Sequence, residues 1–167
     1  GTPRVVRDVL PAAPGGVGFG ARELMRRSAF HELVASRSSV RRFEPDRPVS
    51  DGELAAVLEA ARLAPSAENA QPWRFVIVRD PAARERLVEK AFSGIYRRSR
   101  RIVAPVYLAL CGVHGAVDLA SRAAGHSSYT LTDCGIAGEH AVLAAVELGL
   151  GTCWIGWFDR RRARRAL

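Results

Sequence analysis

The sequence predicts one domain that mixes helices with a few strands, and three observations carry that expectation. The chain has 167 residues, 48% of them hydrophobic and 25% charged, which is the composition and size of a single ordinary core. Ser50 and Glu53 form a capping box ahead of the apolar stripe Leu54, Val57, Leu58 and Ala61, the signature of an amphipathic helix. Trp73-Arg74-Phe75-Val76-Ile77-Val78 is a nearly unbroken apolar, β-favouring run and reads as a strand covered on both faces.

Taken in order, Gly1–Gly20 carries Pro3, Pro11, Pro14 and four glycines between Gly15 and Gly20, so it predicts an irregular arm before a domain over 21–167. Leu24, Met25, Leu33 and Val34 fall at loose helical intervals and suggest a helix from Ala21 to Ala35. The capped helix follows and stops at Pro65. After the strand, Asp80 with Pro81 opens a helix through Leu87, Val88 and Ala91. A second strand is expected over Val106–Cys111, then a variable segment from Gly112 to Ser128. A long apolar helix runs from about Tyr129 to Leu148, closed by Gly149. With so few charges it belongs in a core or between subunits. A third strand is expected over Thr152–Phe158, and Asp159 would cap one more helix.

The formal charge of +8 raises a nucleic-acid reading, with arginine runs at Arg97–Arg101 and Arg160–Arg165. Lys90 is the only lysine, so much of this charge reflects arginine usage, and neither run has aromatics spaced for base stacking. Solvated helix faces are the expectation, with no nucleic-acid partner. No apolar stretch is long enough to cross a bilayer, and Gly1–Leu10 lacks the apolar centre of a signal peptide. Cys111, Cys134 and Cys153 are too scattered for a metal knuckle and read as small core residues of a protein in the reducing cytoplasm. The four histidines form no ligand spacing, so no metal is expected.

Two short stretches outline a site for a planar, phosphate-bearing cofactor. Ser36-Arg37-Ser38-Ser39-Val40-Arg41-Arg42-Phe43 sets guanidinium forks beside small hydroxyls, which suits a phosphate. Ala64-Pro65-Ser66-Ala67-Glu68-Asn69-Ala70-Gln71-Pro72-Trp73 offers the Asn69 amide, donor and acceptor at once, to the edge of a heteroaromatic ring. A third stretch, Gly149-Leu150-Gly151-Thr152-Cys153-Trp154-Ile155-Gly156, ends a helix and begins a strand.

The order of these three motifs resembles the nitroreductase family of FMN-dependent oxidoreductases, over roughly Phe30–Leu167. The resemblance implies an α+β fold, a small, mostly antiparallel central sheet flanked by helices, in a homodimer whose subunits pack through the long apolar helix. It implies that Arg37, Ser38, Ser39 and Arg41 hold the FMN phosphate and ribityl chain, that Asn69 bonds to the flavin, and that Pro65 and Ser66 lie close to the ring. Trp154, Ile155 and Gly156 would cover the flavin face. Some members carry glutamate where Ile155 stands, so here a contact near N5 would come from the backbone of Ile155 or Gly156. No side chain is assigned as catalytic, because the isoalloxazine carries the chemistry.

The implied activity is ping-pong transfer from NADH or NADPH through FMN to a nitroaromatic, quinone or related small acceptor. Dehalogenation, dehydrogenation or ring fragmentation on the same fold is an alternative, with substrate choice in Gly112–Ser128. A non-enzymatic nucleic-acid-binding domain is an alternative of another class. The family also continues beyond the point matching Leu167, with one more strand and an extension that embraces the partner.

Overall fold

The computed structural model describes residues 28–93, 103–125 and 128–167. The arm Gly1–Gly20, the first residues of the helix expected from Ala21 and the Arg97–Arg101 run lie outside them. Contacts group the chain into two units, Gly1–Ser36 and Arg37–Leu167. In the first, helix α1 spans Ala29–Ser36, its first turn closed by Ser28, whose hydroxyl accepts from the His31 N–H at 3.0 Å.

The second unit begins with a loop that carries the isolated bridge residue Ser39 and leads to α2, Asp51–Arg62. Its capping box forms as expected: the Ser50 hydroxyl accepts from Glu53 N while the Glu53 carboxylate accepts from Ser50 N at 2.8 Å. A single 3-10 turn, Ala67–Asn69, precedes β1, Trp73–Val78. Helix α3, Pro81–Ala91, opens with the Asp80 carboxylate on Ala83 N and proline in the first turn. Strand β2, Tyr107–Gly112, pairs antiparallel with β1 in the register Trp73↔Gly112 to Val78↔Tyr107. Helix α4, Ala116–Ala123, occupies much of the segment expected to be variable. The long helix α5 spans Thr130–Glu147 and ends where Gly149 takes φ +76°, a conformation that suits glycine. Helix α6, Arg160–Ala166, is capped by Asp159, whose carboxylate accepts from Arg162 N at 2.9 Å.

α5 is the spine of this unit. Its buried positions Thr130, Asp133, Cys134, Ala137, Gly138, Ala141 and Ala145 follow helical spacing, and small residues predominate. Ala141 and Ala145 meet Val57 and Ala61 of α2, with Phe75 and Leu108 of the sheet packed alongside. Ala137 and Cys134 meet Ala64 and Trp73, with Leu110 and Phe75 at the margin. A separate cluster joins Val78, Leu87, Ala91, Phe92, Ala104, Tyr107 and Ala163, so α3 and α6 close over the far end of the sheet. There the Phe92 and Tyr107 rings stand edge to face at 5.7 Å.

Three expectations are corrected. β1 is not covered on both faces: Val76 and Ile77 are 39% and 40% exposed, because α5 covers the Trp73–Phe75 end and the α3–α6 cluster reaches only Val78. The strand expected over Thr152–Phe158 is reduced to two isolated bridges, Ser39 with Thr152 in parallel and Phe92 with Phe158 in antiparallel, since different neighbours engage its two ends. Cysteine burial also differs, for only Cys134 is in the core. Cys153 is half-buried, and Cys111 is exposed where β2 runs past Arg74 to its uncovered end. The arginines of α6 are all exposed while Ala163 and Ala166 are buried, the solvated face expected of that run.

Candidate functional site

Arg37–Arg41 and the turn after α5 meet directly. The bridge between Ser39 and Thr152 is joined by a hydrogen bond from Val40 N to Thr152 O at 2.8 Å. Gly151 permits this approach, since a β-carbon there would sit 3.0 Å from both methyls of Val40. Arg37 is half-buried, whereas Ser38, Ser39 and Arg41 are exposed. Arg41 Nη1 donates to Ser39 O at 3.3 Å, leaving the rest of its fork available. Among the described residues, the Arg37 guanidinium and the Ser38 and Ser39 hydroxyls have no protein partner. Two cations and two hydroxyls thus fall within five consecutive residues with donors to spare, a donor set suited to an anion.

The Pro65–Trp73 loop departs most from ordinary backbone. Glu68, Asn69 and Gln71 have φ of +52°, +52° and +44°, left-handed values at non-glycine residues. Such a run persists only where surrounding bonds hold it. The Ser66 hydroxyl accepts from Gln71 N at 2.9 Å, so Ser66 has a definite structural role in addition to the one expected at the ring. Asn69 Oδ1 accepts from Gln71 Nε2 at 3.3 Å, and Asn69 and Pro65 are exposed. From α5, Asp133 accepts from Ala67 N with both carboxylate oxygens at 3.3 Å. Pro72 O accepts from Val113 N at 2.7 Å, which brings the start of the 113–125 segment beside this loop.

At that junction lies a cavity of about 20 Å³, room for a single water, lined by Ala67, Ala70, Pro72, Gly115, Asp118, Tyr129, Thr130 and Asp133. Asp118, 7% exposed, gathers polar partners around one wall. Its carboxylate accepts from the Ser128 hydroxyl at 2.7 Å and from Thr130 N at 3.3 Å, and it meets His114 Nδ1 at 2.6 Å. The Ser128 hydrogen bond, followed by those of His114 and Thr130, holds the Asp118 carboxyl well below the usual carboxylate range despite its burial. Asp118 therefore ties α4 to the start of α5.

The sign of its pH dependence follows. A depressed folded-state value contributes stability above the unfolded value of about 4, and that contribution disappears as the pH falls through the folded value. We expect Asp118→Asn to melt below the wild type at pH 7 and the gap to narrow progressively as the pH is lowered from 7 to below about 4. Thermal melts across that range measure it. A gap independent of pH would place the stabilisation elsewhere than on the carboxylate charge.

The last motif lies across the spine. Trp154 Nε1 donates to Glu139 Oε2 at 3.3 Å, and its ring covers Gly138 so closely that a β-carbon there would fall 2.2 Å from Trp154 Cη2. The indole stays half exposed. Ile155 packs its side chain against the Val78–Tyr107 cluster, and Gly156 beside it is exposed.

The structure thus joins Arg37, Ser38, Ser39 and Arg41 to the Thr152–Gly156 turn, and hangs both that turn and the Asn69 loop on α5. Among the described residues, no hydrogen bond links the 37–41 segment to the 65–71 loop directly. His114, Asp118, Asp133, Gly138 and Glu139 were not legible as site residues. The carboxylates Asp133 and Glu139, inside a helix with few other charges, were the signal available.

Comparison with known proteins gives concordant results. The model described as "Nitroreductase family" matches residues 34–167. A protein of Archaeoglobus fulgidus named "Putative NADH dehydrogenase/NAD(P)H nitroreductase" is 32% identical over 138 residues, 81% of this chain and 72% of that one. An NADH dehydrogenase of Thermus thermophilus is 48% identical over 71 residues, 42% of this chain and 34% of its own length. Among solved structures, a "putative nitroreductase in complex with fmn" from Desulfovibrio desulfuricans superposes with a TM-score of 0.64 at 29% identity, covering 84% of this chain and 74% of that one.

Proposed function

This chain belongs to the nitroreductase family, and from that premise we propose that it is an FMN-dependent oxidoreductase. In this reading it takes reducing equivalents from NADH or NADPH and delivers them, in alternating half-reactions, to a nitroaromatic, quinone or related small acceptor. Bound FMN would supply the two-electron redox chemistry. The observation that supports the reading is the main-chain junction of Ser39 and Val40 with Thr152, which joins a segment whose Arg37, Ser38 and Ser39 donors have no partner among the described residues to the turn carrying Ile155 and Gly156. The donor set fits the group: charge and hydroxyls for a phosphate at one end, the Asn69 amide for a ring edge at the other.

Each residue has a task in this reading. Arg37 and Arg41 neutralise the phosphate, Ser38 and Ser39 add short donors, and Asn69 orients the ring. Pro65 and Ser66 shape the loop beneath it. Trp154, braced by Glu139 over Gly138, excludes water from one face. The segment carrying α4 borders the Asn69 loop and is where acceptor choice would reside. A cytoplasmic location accords with thiols at Cys111, Cys134 and Cys153, and among the described residues no helix is long and apolar enough to cross a membrane.

The visible spectrum of the purified protein tests the proposal. A flavin band that bleaches under anaerobic NADH or NADPH and returns with a nitroaromatic or quinone is expected. A colourless protein that refuses added FMN and shifts labelled DNA would favour the basic-domain alternative instead.

A homodimer is part of the same reading. Leu131 on α5 is 78% exposed, Tyr129 beside it 45%, and Trp157 65%, apolar surface that a second copy would cover. Sedimentation across a dilution series is expected to show a dimer that dissociates on dilution. A monomer at every concentration with FMN tightly bound would mean that one chain completes the site alone.

A further inference from the structure

Among the described residues, the strained stretch of the site is tied to α5 by one side chain, while Arg74, close by in sequence on β1, donates to Gln71 O at 3.3 Å. Glu68, Asn69 and Gln71 all take left-handed φ, a conformation with a penalty for residues bearing a β-carbon, though a smaller one for asparagine. Within the loop, Asn69 N and Ala70 N close short turns on Ser66 O and Ala67 O at 3.0 Å, and Gln71 N is taken by Ser66 Oγ. These bonds are local and move with the loop. Asp133 differs, since it reaches Ala67 N from α5, 66 residues away in sequence, and is itself only 5% exposed.

Burying a carboxylate is costly unless it is hydrogen-bonded. Its place in the first turn of α5 offsets part of that cost through the helix dipole, but an exposed acid there would serve as well. What the dipole does not explain is why the group faces the cavity beneath Ala67 and Ala70 and spends both oxygens on one loop amide.

We infer that Asp133 is a positioning residue: anchored in α5, its carboxylate holds the 66–71 loop in the left-handed form that presents Asn69 to the cofactor ring. The ligand in this statement rests on the FMN reading above. Asp133 touches no reacting atom. It acts through the Ala67 N–H, and its effect travels along two residues of main chain to the Asn69 amide.

Hydrogen exchange of the flavin-free chain and FMN titration together test this. In Asp133→Ala the amides of Ala67 and Gln71 should exchange at least about tenfold faster, and FMN affinity should fall by roughly the tenfold typical of one lost hydrogen bond. The flavin reduction potential should shift in the same direction as in Asn69→Ala. Asp133→Asn keeps an acceptor oxygen and should restore both loop protection and affinity. If Asp133→Ala does not fold, Asp133→Ser, too short to reach Ala67, supplies the same readings.

A folded Asp133→Ala or Asp133→Ser chain with unchanged loop exchange, or with a loosened loop but wild-type affinity and potential, would overturn the inference and leave the FMN reading standing. A wild-type chain that binds no FMN would overturn both.

Discussion

Replacing Arg37 by alanine is expected to weaken FMN binding by close to a hundredfold, and replacing Arg41 by nearer tenfold, with the fold intact in both. A hydrogen bond to a charged group contributes about 1.5–3 kcal/mol, and each 1.4 kcal/mol is a factor of about ten in affinity. Exposure decides the order. Arg37 is half-buried beside the Ser39–Thr152 bridge, where solvent screens a phosphate contact less, whereas Arg41 is exposed and already lends one donor to Ser39 O. The Arg41 contribution should therefore shrink further at high salt. Fluorescence titration of the flavin-free variants at two ionic strengths measures both effects. Wild-type affinity in both would remove the phosphate from this segment.

The largest effect on stability is expected from Ala137→Leu. Ala137 is fully buried on α5 among Ala64, Trp73 and Cys134, with Phe75, Leu110 and Ile136 closing the margin. Three added carbons have nowhere to go without parting α5 from β1, and overpacking of this kind costs about 1–3 kcal/mol. For a chain of this length that is a fall in Tm of roughly 3–10 °C. The same displacement would shift Asp133, one turn earlier, away from Ala67 and so loosen the Asn69 loop. Leu131→Ala, at a position 78% exposed, should by contrast leave the Tm of the isolated chain within about 1 °C. Thermal melts of the two variants give the comparison, and equal melting would mean that the α5–β1 contact is not tight.

Local chemistry was legible before any coordinates. The capping box at Ser50, Asp80 with Pro81, Gly149 past the end of α5 and Asp159 before α6 each act within a few residues, so their geometry is written in adjacent positions. The apolar run Trp73–Val78 became β1 with those bounds. Its cover was misjudged, because an apolar run states what is able to be buried and not whether other elements reach it. Val76 and Ile77 lie between the reach of α5 and that of α3 and α6.

Residue types at set spacing were enough to identify the family and to put forward Arg37 to Arg41, Pro65 to Asn69 and Trp154 to Gly156 as its proposed site. What the sequence by itself determined is the set of groups able to meet a phosphate and a ring, since donors and charges belong to residue types. Only the tertiary structure decided how they are held. The Ser39–Thr152 bridge, the Trp154 ring over Gly138 and the Asp133 grip on Ala67 join positions 113, 16 and 66 residues apart. Contacts of that separation depend on the path of the chain between them, which no local pattern encodes, and it is the packing of α5 against α2 and β1 that brings them into register.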